Sequence, residues 1–462
     1  MTKGVDYYAF VGNNNLEAAF FQADAEKARY GNNPQIQHGN MQIGSDELLP
    51  LNQDFTWRAY AGGNEVASRY LSISPVTGTI GDGNMKDMMQ TPSMVTDGYA
   101  LSYGFFDSGS GASGLTNQDQ GYVYLTANHS RWMGSLVAQN PALGSAPFGV
   151  FALPGAHDAG MNDTTFLAKL FQNEAYVELI GGLTGLGTSI AINTIINAAF
   201  TQKDSFTTLL DLGVRMFDFR PGYCAVKIND NLYHQHWAIP GANYADFLQE
   251  VLTWLANNPT ELVVVNIRFN GFYNDDMKPT PETLQTYWDA ALSKTSSNIV
   301  AGSHTDLASS YQTLVNANKR LIFLNQVTTS SAPDNSFLQY NATSLDSYTD
   351  QAYQTTDVST IIAQLNTLNS SQQANVNYTV LQLQGTATGA IKWFGNVSAS
   401  KTASPLMSTK ANFDTSTYAW ILANTQRFLP SQLMVYLNDF CDNALAQNAS
   451  ILTLQRLQAL NG

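Results

Sequence analysis

The hydrophobic and polar positions follow two different patterns along the chain, and the change falls near residue 145. Before it, short alternating segments such as 55–60 (FTWRAY) and 122–127 (YVYLTA) are separated by clusters of Gly, Asn, Asp and Ser. Alternation with a period of two indicates half-buried strands, so residues 1–145 are predicted to form a β-rich, sandwich-like module. Residues 15–30 (NLEAAFFQADAEKARY) have helical spacing and composition and are predicted to form a helix.

From residue 146 to 462, apolar runs alternate with helical patterns, which is typical of an α/β fold with a parallel sheet. The prolines and small residues of 140–147 mark the boundary. Helices are predicted at Asn243–Asn257, before Pro259, and at Pro281–Leu292. Seven runs are strand-like and together predict a barrel: 149–153, 213–219, 231–236, 261–267, 320–325, 378–383 and 432–437.

Charge and composition exclude several classes of protein. The 462 residues include 22 Lys and Arg against 36 Asp and Glu, a net charge of −14, and they contain no basic run, which argues against a nucleic-acid binder. With 44% hydrophobic residues the chain can bury a core, so wholesale disorder is excluded. The two cysteines, Cys224 and Cys441, are too few for a disulfide scaffold or a four-thiolate metal site.

The sequence also carries signals about location. No stretch of 18 apolar residues is present, so no transmembrane helix is predicted. The N-terminus shows no secretory signal, and a mature start would look the same. A surface built from Asn, Gln, Ser and Thr rather than from charges favours a secreted, extracellular protein that is peripheral at membranes.

Polar side chains follow the apolar runs, where a parallel barrel gathers its active site. Two imidazoles, two guanidiniums and several carboxylates at such positions suit proton transfer around a phosphate ester. The residues are His157 and Asp158 after the first run, Asp218 and Arg220 at the second, His236 at the third, Arg268 after the fourth and Asp439 after the last.

Three separated blocks carry a family resemblance. They are 153–160 (LPGAHDAG), 201–220 (TQKDSFTTLLDLGVRMFDFR) and 233–236 (YHQH), the last followed by 247–252 (FLQEVL) and 258–265 (NPTELVVV). In order, spacing and strand context this pattern resembles the X domain of phosphatidylinositol-specific phospholipase C, of the bacterial type. The resemblance covers residues 148–270, extends to the C-terminus through 437–440 (LNDF), and is absent before residue 145. It implies a distorted TIM (β/α) barrel.

The resemblance implies a role for each matched residue. His157 matches the general base that takes the proton of the inositol 2-hydroxyl, and Asp439 matches the carboxylate that supports it. His236 matches the general acid that protonates the departing diacylglycerol oxygen, with Asp158 as its orienting partner. His234 shares a face with His236, but the family pattern favours the second histidine. The implied product is a cyclic inositol 1,2-phosphate.

The same positions bear on metal dependence. Calcium-dependent members of the family carry an Asn after the first histidine and carboxylates at the positions of Arg220 and Arg268. Guanidinium groups there would repel a hard cation, so the resemblance implies a metal-independent enzyme with no cofactor, and calcium is the runner-up. Arg220 would then stabilise the charge of the transition state. Metal-independent relatives often have Lys at the position of Arg268, so this residue departs from the family pattern while it keeps the positive charge.

Further residues are predicted to bind substrate. Asp218 and Arg268 lie at the same strand ends as the catalytic set, and Asn325 and Gln384 end two later strands. Amide groups suit vicinal hydroxyls, so the last two are candidates for the inositol ring. The Gly-rich segment 180–200 is open to two interpretations, a lid or lipid-contacting element and an ordinary buried helix.

The predicted function is cleavage of phosphatidylinositol, or of a GPI-type lipid, by a phospholipase C-like phosphodiesterase, with residues 1–145 as an accessory or targeting module. The protein's partner would be that lipid at a membrane interface. Two alternatives stay open, the same fold acting on another phosphodiester lipid and a non-catalytic lipid- or inositol-binding protein.

Overall fold

The structure is a computed structural model that describes residues 3–43, 53–74, 80–86, 88–108, 118–184, 187, 192–295, 298–326, 338, 342–385 and 406–462. Among these residues, ten strands precede residue 130: β1 Lys3–Val11, β2 Leu16–Gln22, β3 Ala25–Tyr30, β4 Asn33–Ile43, β5 Gln53–Ala61, β6 Asn64–Ile73, β7 Ile80–Gly83, β8 Met94–Val95, β9 Ala100–Phe106 and β10 Asp119–Thr126. In the described part of the chain they form two five-stranded sheets, in the orders β4-β1-β10-β9-β8 and β3-β2-β5-β6-β7.

The two sheets face each other across one apolar core. Val5, Phe20, Trp57, Tyr103 and Val123 come from both sheets and pack into a single buried cluster. Packing of two sheets through alternate side chains is the sandwich arrangement that the period-two pattern predicts. We call residues 3–126 the β-module.

The helix predicted over residues 15–30 is wrong, because β2 and β3 form a hairpin there. Ala18 pairs with Ala59 of β5, and Ala23 adopts a left-handed conformation with φ of 50° in the turn. The Ala, Glu and Lys residues that favour a helix are divided between β2 and the exposed edge strand β3. Pairing with β5 and burial of Phe20 therefore override the local helical propensity.

Eleven further strands are described after residue 150. They are β11 Ala152–Ala156, β12 Met216–Phe219, β13 Pro221–Gly222, β14 Tyr233–His236, β15 Ile239–Asn243, β16 Val263–Ile267, β17 Ala301–Gly302, β18 Leu321–Asn325, β19 Ser344–Asp346, β20 Tyr378–Gln382 and β21 Leu433–Asn438. Eight of them form a parallel sheet in the order β17-β18-β16-β12-β11-β21-β20-β19. Six of the seven predicted runs supply strands of this sheet.

The run at 231–236 is the exception. Its strand, β14, pairs antiparallel with β13 and β15 in a separate three-stranded sheet. A strand in the middle of a parallel sheet is buried on both faces and needs an apolar sequence, whereas Tyr-His-Gln-His is mostly polar. The prediction of a barrel strand here is therefore wrong, although the strand itself exists.

The parallel sheet curls around an apolar interior. Met216 of β12, Val264 of β16 and Ile322 of β18 pack in one cluster with Val380 of β20, although β20 is separated from these three neighbouring strands by β11 and β21. The Tyr378 hydroxyl of β20 also donates a hydrogen bond of 3.0 Å to Asn266 Oδ1 of β16. Only a curled sheet brings these side chains together, so the predicted distorted (β/α) barrel is confirmed.

Helices cover the barrel and connect its strands. The two helices predicted for this half of the chain are confirmed, with Asn243 capping one and Thr280 capping the other. The helices are α1 Trp132–Gln139, α2 Pro141–Ser145, α3 Thr165–Leu170, α4 Glu174–Thr184, α5 Ile192–Ala199, α6 Phe206–Asp211, α7 Tyr244–Asn257, α8 Pro281–Ser293, α9 Tyr311–Asn316, α10 Asp350–Tyr353, α11 Val358–Thr367, α12 Ser370–Gln373, α13 Met407–Ala423 and α14 Asn443–Asn461.

The segment 180–200 forms the end of α4 and all of α5, and residues 185, 186 and 188–191 lie outside the described residues. Ile180 and Ile195 are buried in one apolar cluster, which agrees with the interpretation as a packed helical element. In the described part of the chain, no helix combines the length and the apolarity that a membrane span requires.

The β-module and the barrel share a core. Phe10 and Tyr124 of the β-module, Met407 and Tyr418 of α13, and Tyr436 of β21 belong to one buried cluster. The sheet that contains β10 is therefore covered on both faces, by the second sheet on one side and by the barrel and its helices on the other.

Candidate active site

Strand register brings the first and last predicted site residues together. Ala156 of β11 is the register partner of Asn438 of β21, so the residues that follow, His157 and Asp439, leave the same edge of the sheet side by side. His157 Nδ1 lies 2.8 Å from Asp439 Oδ1. Because a carboxylate accepts, His157 carries its proton on Nδ1 in this pair and leaves Nε2 free to accept a proton.

The next two strands place the arginines at the same edge. Phe219 of β12 is paired with Ile267 of β16, so Arg220 and Arg268 leave the sheet at one level. The Nη2 atom of Arg268 lies 2.7 Å from Asp218 Oδ2, and Nη2 of Arg220 lies 3.2 Å from the same oxygen. Arg220 also pairs with Asp158 at 2.6 Å and thereby joins the two halves of the cluster.

The hairpin of β14 carries the two neighbouring histidines into the cluster, in different environments. His234 is fully buried and its Nδ1 accepts the backbone N–H of Arg220 at 3.2 Å. His236 exposes 42% of its side chain, and its Nε2 lies 3.6 Å from Asp158 Oδ2. Only His236 of the two can meet a substrate, which supports the family-based choice between them. Its distance to Asp158 exceeds a hydrogen bond, so the partner of Asp158 in this structure is Arg220.

The backbone at this edge is held in unusual conformations. Asp158, Trp237 and Phe440 have φ of 41°, 61° and 46°, and each is a site residue or follows one directly. Left-handed backbone in residues other than Gly is uncommon and is concentrated at functional sites. Gly160 has a different cause, because a Cβ there would lie 2.2 Å from the Cβ of His234.

The electrostatics of the dyad, His157 with Asp439, favour a proton on His157. Burial opposes the charged imidazole, but the charges of Asp158 and Asp439 outweigh this and raise the pKa of His157. Burial also raises the pKa of Asp439, and the His157 charge offsets only part of that effect. Asp158 behaves in the opposite way, since Arg220 and His157 outweigh its burial and hold its pKa well below the usual range.

His236 is poised differently. Although 42% of the His236 side chain is exposed, partial desolvation of the ring lowers its pKa, Arg220 adds to that effect, and the Asp158 charge does not compensate. The free site therefore holds its proton on His157 rather than on His236. An anion bound beside Arg220 would neutralise the guanidinium charge and favour a protonated His236.

Asn325 and Gln384 lie outside this cluster. Asn325 is fully buried and its amide donates to the Leu338 carbonyl at 3.2 Å. Gln384 is also buried and donates to Gln382 Oε1 at 2.5 Å. Gln382 in turn donates to Asp346, so Gln384 reaches the arginines only through two intermediate side chains.

Asp346 is a site residue that the sequence did not indicate. It ends β19, its side chain is 25% exposed, and its Oδ2 lies 3.8 Å from Arg268 Nη1. Burial raises the pKa of Asp346, and the Arg268 charge counters this only in part. The strand has three residues without an apolar run, so the sequence carries no signal for it beyond the acidic residue itself.

The residues at this edge do not fit a calcium ion. His157, Asp158 and Asp218 offer three atoms within 4.8 Å of one another. However, Arg220 and Arg268 already occupy both carboxylates at 2.6 to 3.2 Å, and imidazole nitrogen is a poor ligand for a hard cation. Two guanidiniums supply the positive charge at the place where a cation would sit.

Comparison with known proteins gives matches of limited extent. No protein-family model matches the chain. The PI-PLC X domain-containing protein 1 of Homo sapiens is 28% identical over 145 residues, which is 31% of this chain and 43% of that protein. The mouse protein of the same name is 26% identical over 138 residues, 30% of this chain and 38% of that protein. The chain thus spans less than half of the length of the curated relatives it matches.

Two solved structures match the chain at TM-scores below 0.5. The phosphatidylinositol-specific phospholipase C from Listeria monocytogenes has a TM-score of 0.42 and 15% identity, with 71% of this chain and 99% of that chain covered. A variant of the Staphylococcus aureus enzyme has a TM-score of 0.41 and 14% identity, with 70% and 96% covered. The resemblance predicted from the three sequence blocks is confirmed by the curated matches.

Proposed function

Starting from a chain that resembles the phosphatidylinositol-specific phospholipase C X-domain family, we propose that the strand-end cluster is the active site of a phosphodiesterase. Its substrate is phosphatidylinositol or a GPI-type lipid, and its products are diacylglycerol and cyclic inositol 1,2-phosphate. The observation that carries the proposal is that the Nε2 atoms of two histidines, His157 and His236, both lie within 3.6 Å of one oxygen of Asp158, beside Arg220.

The reaction is an intramolecular phosphoryl transfer. His157 Nε2 takes the proton of the inositol 2-hydroxyl, and that oxygen forms a bond to phosphorus. The bond from phosphorus to the diacylglycerol oxygen breaks, and His236 gives its proton to that oxygen. Asp439 keeps the Nδ1 proton of His157 in place and stabilises the imidazolium that forms.

The arginines are placed to bind the substrate and to stabilise the negative charge of its phosphate. Arg220 is 11% exposed and pairs with Asp158, which also lies 3.6 Å from His236, so its guanidinium can meet the equatorial phosphate oxygens. The negative substrate then favours the protonated form of His236 that the leaving group requires. Arg268 and Asp346 lie further along the same edge, where hydroxyls of the inositol ring would find a donor and an acceptor.

This enzyme needs no metal or other cofactor, because the two guanidiniums provide the positive charge that calcium provides elsewhere in the family. We also propose that it is secreted and acts peripherally on a membrane, since its substrate is a lipid and its surface is richer in amides and hydroxyls than in charges. The predicted unit of residues 146–462 carries the chemistry.

The test is phosphorus NMR of phosphatidylinositol in mixed micelles with the purified protein, with EDTA or with added calcium. We expect the signal of cyclic inositol phosphate to appear at the same rate with EDTA and with added calcium. The variant R220Q should lose about 10²- to 10³-fold in rate, as expected for removal of a charge that stabilises the transition state.

The variant R427Q is a matched control for loss of a guanidinium, since Arg427 donates to Asn366 on the outer helices, away from the site. Product that forms only with calcium would overturn the metal-independent mechanism. No product in either condition would favour another phosphodiester lipid or the non-catalytic alternative.

A further inference from the structure

A buried charge cluster lies directly behind the dyad. It consists of Lys410 and Asp414 on α13 and Asp442, which caps α14. Lys410 Nζ lies 2.7 Å from Asp414 Oδ2 and 2.5 Å from Asp442 Oδ2, and all three residues are at most 3% exposed. Two carboxylates share one ammonium group, so the cluster depends on neutral donors to satisfy the remaining oxygens.

One of those donors is the residue that holds the dyad. The Asn438 side chain donates to Asp414 Oδ1 at 2.9 Å, and its Oδ1 accepts the backbone N–H of Asp439 at 3.0 Å. The Asn438 carbonyl accepts the backbone N–H of His157 at 3.0 Å. The orientation of Asn438 therefore sets the positions of both members of the dyad.

Another donor comes from the β-module. The Tyr124 hydroxyl of β10 donates to Asp414 Oδ2 at 3.0 Å, and both residues are fully buried. Asn443, the first residue of α14, binds the same strand through the Tyr124 carbonyl at 3.0 Å and Thr126 Oγ1 at 2.9 Å. The charge cluster is thus completed by a strand that is more than 300 residues away in sequence from Asp439.

A separate chain of contacts connects the β-module with the dyad. Gln202 donates to the carbonyls of His157 and Asn438, each at 3.0 Å. The adjacent residues Lys203 and Asp204 are buried against Ser93 of the β-module, at 2.9 Å for Lys203 Nζ to Ser93 Oγ and 2.7 Å for Ser93 Oγ to Asp204 Oδ2. The two routes meet at the backbone of the dyad.

We propose that the β-module positions the catalytic dyad, with Tyr124 and Asp414 as positioning residues that act on Asp439 and His157 through Asn438. The proposal rests on the proposed function, since it assumes that the dyad transfers the proton. Without the Tyr124 hydroxyl, the Asp414 carboxylate turns toward its remaining donors and draws the Asn438 amide with it. A small displacement of a catalytic base is costly, because misplacement by 1 Å lowers rates by about 10²-fold.

The test compares Y124F with Y122F in the full chain. Tyr122 lies on the same face of β10 and is equally buried, but its hydroxyl has no hydrogen-bond partner among the described residues. We expect Y124F to lower kcat on phosphatidylinositol micelles about tenfold with an unchanged KM, and Y122F to leave both unchanged. A purely stabilising contact would instead lower the melting temperature of Y124F and leave kcat intact, which would overturn the proposal.

A double-mutant cycle tests the route. N438A removes the intermediate side chain, so Y124F should cost less than threefold in that background if Tyr124 acts through Asn438. Full additivity of the two losses would contradict the route. Where Y124F does not fold, D414N takes its place with the same expected outcomes.

Proton NMR keeps the proposal separate from the proposed function. If the wild type cleaves no phosphatidylinositol, the proposed function fails, and the low-field Nδ1 proton of His157 still reports the dyad geometry. We expect this resonance to shift or broaden in Y124F and to stay in place in Y122F. An unchanged resonance in Y124F would refute positioning whatever the activity.

Discussion

The two sides of the proposed active site are supported in different ways. On the arginine side, Arg220 and Arg268 are fixed by ion pairs to Asp158 and Asp218, all from loops and strands of the barrel itself. On the dyad side, His157 and Asp439 are fixed by Asn438, whose amide belongs to a buried network that ends in the β-module. The arginine side is therefore held by contacts within the barrel, whereas the dyad side depends on contacts with both the barrel and the β-module.

This difference follows from what each side must do. An arginine acts through a permanent charge, and two carboxylates at the same sheet edge suffice to aim it. A general base needs a defined tautomer and a precise approach to one hydroxyl, so its partner must be fixed as well. Support for Asp439 from several directions provides that precision.

The largest expected effects distinguish the two histidines. H157A and H236A should each lower turnover of phosphatidylinositol by about 10²- to 10⁴-fold, because each removes a proton-transfer group. On a nitrophenyl ester of inositol phosphate, whose leaving group needs no proton, H236A should recover most of its activity and H157A should not. Rate measurements on both substrates check this assignment, with H38A as the control imidazole, since His38 is exposed on β4 of the β-module.

Equal recovery of both variants on the nitrophenyl ester would show that the acid and base roles are assigned wrongly. Recovery of H157A alone would exchange the two roles. Circular dichroism of each variant verifies that the loss is chemical rather than a loss of folding, which matters most for the buried His157.

The arginine side was largely predictable from the sequence, and the support of the dyad was not. The apolar runs at Asp218, Arg220 and Arg268 can be recognised as strands from the sequence. The parallel register of these strands then brings the three residues together. The resemblance predicted His236 as a site residue, and the structure places it beside Asp158 although its strand lies outside the barrel sheet. Asn325 and Gln384 also end strands, but their side chains turn into the protein, which no strand-end rule reveals.

Tyr124 and Asp414 illustrate why the rest escaped prediction. Tyr124 lies in a strand of the β-module in which every residue is buried, and Asp414 lies in a helix that buries apolar and polar residues alike. Neither has a local pattern that marks it, because their role arises from a contact across 290 positions. The helix prediction for residues 15–30 was wrong for a related reason, since pairing with β5 determines their conformation.

An effect of intermediate size on turnover and on its pH dependence is expected from a change at Asp439, the carboxylate of the dyad. The proposed reaction needs one proton on the pair of His157 and His236, and in the free site that proton lies on His157. The value of kcat/KM should therefore fall as the pH rises through the raised pKa of His157, because the pair then loses its last proton. D439N removes a negative charge that raises this pKa, so the alkaline limb should move to lower pH. The turnover should also drop about 10- to 100-fold, the range for a lost hydrogen bond to a charged group.

The pH profile of kcat/KM on a short-chain phosphatidylinositol, measured below its micellar concentration, checks the shift. D54N in β5 of the β-module is the matched carboxylate control and should leave the limb in place. An alkaline limb that stays at the wild-type position in D439N would mean that His157 does not govern it.

The smallest effect is expected at the far end of the arginine side. Arg268 spans Asp218 at 2.7 Å and Asp346 at 3.8 Å, and a lysine keeps the charge but cannot reach both carboxylates at once. R268K should therefore raise KM by up to about tenfold, roughly one charge-assisted hydrogen bond, with kcat nearly unchanged. R427K, which alters an arginine bound to Asn366 on the outer helices, should leave both constants unchanged. A fall in kcat at constant KM in R268K would instead place Arg268 at the reacting phosphate with Arg220, and the arginine side would then act as one catalytic unit rather than as a catalytic and a binding half.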